Sequence, residues 1–301
     1  MQLTTRAHAK VNLHLEVLNK RPDGYHAIFS LMASVGFCDL LKLESVRLTE
    51  RPDGECSITV HAAGGKYPEL IETIPYGRNL IEMAAALYCR TAGLSGEIDF
   101  TIEKNIPSGA GLGGGSTDAA AALRLLNQRL GRVSEPDLRA LAAQLGADVP
   151  FCLNGGAAIC EGIGDIIEPL VGRVTRHLVI ANDGIHVNTA AAYASLHRGQ
   201  SYPVDRDALN RKRARIIEDF ANGNLRNLTS IRKNDFEAPV FAEHPRIEHI
   251  NAMMAAHRPE FAAMTGSGSS IIGVFESESD ARSAHEALQC EVKHCILTAL
   301  L

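Results

Sequence analysis

A glycine-rich segment between residues 107 and 117 has the composition that points most directly to chemistry. It consists of Pro107, Ser108, Gly109, Ala110, Gly111, Leu112, Gly113, Gly114, Gly115, Ser116 and Thr117. Five glycines in seven positions favour neither a strand nor a helix, because glycine loses backbone entropy on folding and adds no packing. Ser116 and Thr117 predict a helix N-cap, and the alanine run that follows predicts the helix. Backbone N–H groups and the positive end of a helix dipole would converge there, which favours a bound phosphate chain.

Other interpretations of this segment are weaker. The glycines match G-x-G-x-x-G, but a dinucleotide-binding fold needs a strand after the helix that ends in a ribose-binding acid. The acid at the right distance is Glu135, and it lies in Ser134-Glu135-Pro136, which predicts the start of another helix. The nucleoside-triphosphatase loop requires a lysine before the serine, and none precedes Ser116. A flexible loop that merely caps a helix is disfavoured because five glycines directly precede the helix.

Two charged residues far apart in sequence are candidates for acid-base chemistry. The segment Arg6–Leu18 alternates apolar and polar residues, which predicts a half-buried strand with Lys10 and Asn12 adjacent on its polar face. The alternative for that face is simple solvation. Asp148 lies between Ala147 and Val149, before an apolar run, so it is a candidate for an inward-facing carboxylate. Aspartates after helices are more commonly exposed turn residues, which remains the alternative.

A turn near the N-terminus presents two rings. Proline and glycine in Asn19–Gly24 predict a tight turn, and Tyr25 and His26 follow it directly. An aromatic ring and a hydrogen-bonding ring beside the Lys10 and Asn12 face are suited to contacting a planar ligand. An ordinary hairpin edge is the alternative.

The remaining periodicities predict interleaved strands and helices in two domains, 1–162 and 163–301. Predicted strands are 40–48, 57–61, 98–103, 177–181, 271–275 and 291–297, and predicted helices are 76–94, 134–145, 189–196, 206–220 and 278–288. A turn is predicted at Arg51–Gly54. The C-terminal order of elements predicts a ferredoxin-like α+β layer. The basic run Arg211–Arg215 leads into acidic residues, so it favours a solvated helix face over a nucleic-acid site.

Composition excludes several other classes of protein. The 301 residues are 46% hydrophobic and 22% charged, with a net charge of -5. No window approaches the roughly 18 apolar residues of a membrane span, and the N-terminus lacks a signal-peptide core, so we expect a cytoplasmic protein. The seven cysteines are odd in number and lack C-x-x-C spacing, which argues against a disulfide framework and a structural zinc site and predicts buried, reduced thiols.

Three motifs together resemble the GHMP small-molecule kinases. They are Lys10-Val11-Asn12-Leu13, the segment 107–117, and Thr265-Gly266-Ser267-Gly268-Ser269-Ser270. The resemblance extends over nearly the whole chain and is weakest between residues 203 and 259. It implies an α+β two-domain fold, with a ribosomal-protein-S5-like N-terminal domain and a ferredoxin-like C-terminal domain. It also implies ATP as the phosphate donor. Mg²⁺ is expected from the chemistry of phosphoryl transfer, with the Ser116 hydroxyl as a candidate ligand and no evident carboxylate cluster for it.

The resemblance further implies roles for individual residues. Asp148 would be the catalytic base, Lys10 its charged partner and segment 107–117 the triphosphate cradle, while Asn79 would contact adenine. The turn motif and Gly146–Pro150 are similar to a branch of the family whose small-molecule substrate is a methylerythritol linked to cytidine diphosphate. The residues on the substrate side would be Asn12, Tyr25, His26, Thr189 and Tyr193. Phenylalanine is frequent at the last position, so Tyr193 would have to stack in its place.

Two alternatives remain at this point. Another GHMP kinase would act on mevalonate, homoserine or a sugar, and would need no cytosine pocket. A nucleotide-binding regulator would have lost catalysis, which the presence of both Lys10 and Asp148 disfavours.

Overall fold

The computed structural model describes residues 3–51, 55–172 and 174–301, in which strands and helices are interleaved. The strands are β1 Leu3–Lys20, β2 His26–Glu50, β3 Cys56–Gly65, β4 Leu94–Lys104, β5 Ala157–Glu161, β6 Ile166–Pro169, β7 His177–Asn182, β8 Phe261–Met264, β9 Ile271–Phe275 and β10 His294–Ala299. The helices are α1 Glu69–Glu72, α2 Leu80–Ala92, α3 Gly114–Leu130, α4 Glu135–Leu145, α5 Val149–Asn154, α6 Thr189–Ser195, α7 Arg206–Ala221, α8 Arg226–Ile231, α9 Glu237–Glu243, α10 Pro245–Ala256 and α11 Glu278–Leu288.

The chain divides into two units that are not continuous in sequence. Unit 1 comprises the chain up to Ala9 together with Phe37–Ser108 and Gly113–Gly155. Unit 2 comprises Lys10–Gly36, Gly109–Leu112 and Gly156–Leu301. Strands β1 and β2 therefore contribute residues to both units, and so does the glycine-rich segment. The predicted boundary near residue 162 stays a prediction.

Unit 1 combines a sheet with a group of helices. The second half of β2 pairs antiparallel with β4, and β4 pairs parallel with β3. Helix α3 packs against α2, α4 and α5, and its run Ala119–Ala122 is fully buried. Alanine suits this position because it favours helix and allows neighbouring helices to approach closely. Helix α3 is followed by α4 and not by a strand, so the dinucleotide-binding alternative is excluded.

Unit 2 contains the predicted ferredoxin-like layer. Its four-stranded antiparallel sheet has the order β10-β7-β9-β8. Helix α11 connects β9 to β10, and helices α6 to α10 connect β7 to β8. All five residues of β9 are buried, as expected for an apolar strand at the centre of a covered sheet. The predicted bounds of β9 and α11 are confirmed.

Several predictions about local structure are wrong. Helix α2 begins at Leu80 instead of residue 76, and β10 begins at His294 instead of residue 291. Helix α3 begins at Gly114 with Gly113 as its N-cap at φ 70°, so Ser116 and Thr117 lie in its first turn. Glycine takes this left-handed conformation without strain, and the Thr117 hydroxyl donates to Gly114 O at 2.9 Å instead of capping the helix. Strand β1 is also not half-buried, because Asn12 and His14 are 3% and 1% exposed.

The polar face of β1 is covered by a segment distant in sequence. Leu15 N donates to Lys233 O at 2.8 Å, and Asp235 N donates to Leu15 O at 3.1 Å. The basic run of α7 is likewise not wholly solvated, because Lys212 pairs with Glu16 and Arg213 pairs with two glutamates.

Several further expectations concern the whole chain. All seven cysteines are free thiols, as predicted, but the expectation that they are buried holds only for Cys89, Cys152 and Cys160. In the three described ranges, no helix combines the length and the apolar character needed to cross a membrane. Of the predicted turn at Arg51–Gly54, residues 52–54 lie outside the described residues.

Candidate active site

Within unit 2, the first part of the glycine-rich segment packs against the second glycine loop, Thr265–Ser270. Gly111 has φ 76°, and a Cβ built on it would lie 2.3 Å from Thr265 O. Ser270 N donates to Ala110 O at 3.3 Å, and Lys10 N donates to Leu112 O at 3.0 Å. The contacts leave no space for a side chain at residue 111, so the close approach of the two loops requires glycine there.

Within unit 1, the second part of the segment forms the start of α3. A Cβ on Gly114 would lie 3.2 Å from Lys104 Nζ, and a Cβ on Gly115 would lie 3.1 Å from Leu80 Cδ1. The first-turn N–H groups of a helix have no partner within the helix, and its dipole places partial positive charge at this end. The start of α3 therefore has the electrostatics of an anion site, and its binding of a triphosphate stays a prediction.

Lys10 and Asn12 are held together as the sequence predicts. The Lys10 ammonium donates to Asn12 Oδ1 at 2.9 Å, and the Asn12 amide donates to Ser30 Oγ at 2.8 Å. Asn12 N also donates to the Thr265 hydroxyl at 2.8 Å. Lys10 is only 5% exposed, and a Cβ on Gly266 would lie 3.6 Å from its Nζ. The fold thus places a buried ammonium directly beside the second glycine loop.

The role of Thr265 and of Ser30 was missed by the sequence reasoning. Thr265 is fully buried, and so is Ser30. The signal for Thr265 was the hydroxyl-rich loop, which served as a family motif without a role for its single residues. Thr265 lies 253 residues from Asn12, so their contact could not be identified from local pattern.

The turn after β1 presents its rings as predicted. Arg21 N donates to Tyr25 O at 2.7 Å across the turn, in which Gly24 has φ 90°. The Tyr25 side chain is 62% exposed. The His26 ring stacks on Tyr193 with centroids 5.2 Å apart and an interplanar angle of 20°. A ring pair beside an exposed tyrosine forms a surface suited to a planar ligand.

Arg198 stabilises this surface from one side. Its carbonyl oxygen lies 2.9 Å from His26 Nε2, and its guanidinium pairs with Asp235 at 2.5 Å. Burial raises the pKa of Asp235, but hydrogen bonds from Arg198 and Lys233 outweigh it and lower that pKa below its usual range. The Asp235 carboxylate therefore remains charged and fixes Arg198. On α6, the Thr189 hydroxyl lies 2.9 Å from Ser267 Oγ, which connects that helix to the second glycine loop.

The other two predicted residues belong to unit 1. Asp148 directly precedes α5, at φ -84° and ψ -15°, and its side chain makes no capping hydrogen bond to that helix. The residue is half-buried, whereas Val149 and Phe151 are fully buried. Asn79 is the N-cap of α2 and accepts a hydrogen bond from Ile81 N at 2.9 Å. The roles of Asp148 in proton transfer and of Asn79 in adenine binding stay predictions.

Among the described residues, no group of three or more His, Cys, Asp or Glu side chains is arranged to hold a metal ion. Mg²⁺ in phosphoryl-transfer sites keeps several waters and is bound largely through substrate phosphates.

Comparison with known families identifies the class of protein. The model of the GHMP kinases N terminal domain matches residues 79–156, and that of the GHMP kinases C terminal domain matches residues 206–294. The chain belongs to the GHMP kinase family and is a small-molecule kinase that uses ATP. The α+β two-domain fold implied by the sequence is thereby confirmed.

Individual relatives are more specific. The chain is 36% identical over 296 residues to 4-diphosphocytidyl-2-C-methyl-D-erythritol kinase of Caldicellulosiruptor saccharolyticus, covering 97% of this chain and 95% of the relative. A crystal structure of 4-(cytidine 5'-diphospho)-2C-methyl-D-erythritol kinase is similar with a TM-score of 0.76, 35% identity and 99% coverage of both chains. Homoserine kinase from Cytophaga hutchinsonii has a TM-score of 0.75 at 18% identity, covering 100% of this chain and 94% of that one, which shows the shared fold alone.

Proposed function

We propose that this protein transfers the γ-phosphoryl group of ATP to the 2-hydroxyl of 4-diphosphocytidyl-2-C-methyl-D-erythritol, in non-mevalonate isoprenoid precursor synthesis. The observation that carries the proposal is the similarity, at 36% identity and nearly full length, to a kinase named for that substrate. The ring surface formed by Tyr25, His26 and Tyr193 supports it, because a cytosine is planar and carries hydrogen-bonding groups on its edge.

The glycine-rich segment 107–117 is proposed to hold the triphosphate. Phosphoryl transfer depends mainly on positioning and on neutralisation of charge, because the transferred group passes through a loose, highly charged transition state. The fixed N–H dipoles at the start of α3 would hold the phosphates in position and neutralise part of their charge. Mg²⁺ is proposed to enter with the ATP, bound through its phosphates, and to neutralise charge there. Asn79 is proposed to contact the adenine.

Asp148 and Lys10 are proposed to act on the acceptor alcohol. A tertiary alcohol is a poor nucleophile, and a carboxylate that accepts its proton contributes roughly 10²- to 10⁴-fold in rate. The proposed role of Lys10 is to keep the base ionised and to stabilise the alkoxide. Its low exposure supports this role, because a buried ammonium interacts with charge more strongly than a solvated one.

The residues assigned to the substrate are proposed to bind its cytidine diphosphate group. Tyr25 and Tyr193 would stack on the base, His26 and Asn12 would donate or accept hydrogen bonds, and Thr189 would contact the same ligand from α6. The mutual contacts of His26 with Tyr193 and of Thr189 with Ser267 support this grouping.

The test is an ADP-release assay on the purified protein with the cytidylated methylerythritol, mevalonate and homoserine as separate acceptors. We expect release with the cytidylated substrate and background release with the other two. Preferential release with mevalonate or homoserine would assign the chain to another GHMP activity. Release with none of them, together with measurable ATP binding, would favour the nucleotide-binding regulator.

A further inference from the structure

A buried cluster of three charged side chains lies in unit 1 at the base of the glycine-rich segment. Lys104, the last residue of β4, donates to Asp39 Oδ2 at 2.5 Å and to Asp118 Oδ2 at 2.6 Å. The exposed fractions of Lys104, Asp39 and Asp118 are 5%, 0% and 3%. Such groups are almost never this buried unless they are paired.

The cluster connects the two ends of the glycine-rich segment. Asp39 Oδ1 accepts hydrogen bonds from Asn105 N at 2.5 Å and from Ile106 N at 2.8 Å, which fixes the chain entering the segment. Asp118 lies in α3, four residues after Gly114, which fixes the chain leaving it. Because Lys104 pairs with both carboxylates, one ammonium determines the separation of the two ends.

The charges of the cluster do not balance if both carboxylates are ionised. Asp118 Oδ1 is buried and has no hydrogen-bond partner among the described residues. An unpartnered buried carboxylate oxygen is costly, whereas a neutral carboxyl avoids most of that cost. Burial raises the pKa of Asp118 to about 8, with Lys104 opposing the rise and Asp39 adding to it. Burial lowers the pKa of Lys104, but its pairing with Asp118 and Asp39 outweighs burial and raises that pKa, so the ammonium keeps its charge.

We propose that Lys104, Asp39 and Asp118 form a positioning cluster for the phosphate-binding segment. In this cluster Asp118 is protonated, so the three side chains together have no net charge. This inference rests on the proposed role of the segment in holding ATP. None of the three residues needs to touch the nucleotide, because they act through the geometry and the local potential of the segment.

A consequence for nucleotide binding follows from the position of Asp118. Four residues of helix place it about 6 Å along α3 from Gly114. The charged groups that act on it are Lys104 of β4 and Asp39 of β2. Loss of the proton would place an uncompensated negative charge behind the phosphates and weaken their binding. Since ATP favours the neutral cluster, its affinity should fall as the pH rises through 8.

The test measures the Kd of Mg-ATP by calorimetry between pH 6.5 and 9.5, without an acceptor. For the wild type, we expect Kd to rise severalfold above pH 8. Asp118→Asn keeps the shape and the neutral charge, so its Kd should stay near the neutral-pH wild-type value over the whole range. Asp219→Asn is the matched control, because Asp219 is also a buried aspartate but accepts from Leu228 N in unit 2. The control should keep the wild-type pH profile.

Two results would overturn the proposal. One is an Asp118→Asn protein, folded by circular dichroism, whose Kd changes with pH as the wild type does. The other is a Kd for that variant raised equally at every pH, which is the result of a purely structural role. Because binding is measured without an acceptor, neither result depends on which alcohol the enzyme phosphorylates, and the ADP-release assay tests that point separately.

Discussion

Replacement of Gly111 by alanine is the sharpest perturbation of the contact between the two glycine loops. The residue has φ 76°, and the added Cβ would lie 2.3 Å from Thr265 O and 3.1 Å from Gly268 O. Both neighbouring atoms are backbone atoms, so neither can move away by a change of rotamer. The loops must separate, or the substituted residue must leave its conformation.

Two contributions set the magnitude of the effect. A left-handed conformation costs a non-glycine residue about 1–2 kcal/mol. Overpacking of a tight contact costs typically about 1–3 kcal/mol. The free energy of unfolding of Gly111→Ala should therefore fall by about 2–5 kcal/mol, unless the loops separate and release part of that strain. Separation would instead displace the proposed triphosphate cradle and raise the KM for ATP.

Gly131 offers a matched control for the conformational contribution. It ends α3 at φ 61°, and a Cβ built there would have no atom within 4 Å. Gly131→Ala should therefore lose only about 1–2 kcal/mol and keep its KM for ATP. Urea denaturation and steady-state kinetics of both variants make the comparison. If Gly111→Ala were no less stable than Gly131→Ala and had a normal KM for ATP, the argument that the loop contact requires glycine at residue 111 would be refuted.

Three further variants test separate parts of the site. Asp148→Asn should lose about 10²- to 10⁴-fold in kcat with an unchanged Kd for ATP by calorimetry, and near-normal turnover would remove it from the mechanism. Tyr193→Ala should raise the KM for the cytidylated substrate about fivefold through loss of stacking, whereas Tyr193→Phe should leave this KM unchanged. An equal rise in the KM for ATP would contradict the role of Tyr193 in stacking on the substrate. Burial raises the pKa of Glu16, but hydrogen bonds from His14 and Lys212 lower it to about 2. A depressed pKa gives stability that is present above pH 4.5 and lost as the pH falls toward 2. The melting temperature of Glu16→Gln should therefore decrease less than that of the wild type over this range. An identical decrease in the two proteins would contradict this role of Glu16.

Much of the fold was predictable because it depends on local patterns. Apolar residues at period two identified β1 and β4, and the serine cap with proline identified α4, which begins after Ser134 as expected. The ferredoxin-like layer followed from the order of its elements, which restricts the possible topologies. The glycine-rich segment was recognisable because few other structures use so many glycines.

The errors have physical causes that a local pattern does not contain. Ser116 is a good N-cap residue, but Gly113 adopts the left-handed conformation that starts α3 three residues earlier. The buried face of β1 depends on Lys233–Asp235, more than 200 residues away in sequence.

The charge cluster was missed for a related reason. Lys104 at the end of a strand has the sequence signature of an exposed residue. Only the folded chain brings Asp39 and Asp118 to it, so its burial could not be deduced from the sequence alone.

Phosphorus NMR of the reaction product tests the central claim most directly. The purified protein is incubated with Mg-ATP and 4-diphosphocytidyl-2-C-methyl-D-erythritol, and the product is compared with a standard phosphorylated on the 2-hydroxyl. We predict a new phosphomonoester signal that matches the standard, together with an intact diphosphate bridge and formation of ADP. Absence of that signal, or a phosphate at another position of the substrate, would contradict the proposed function.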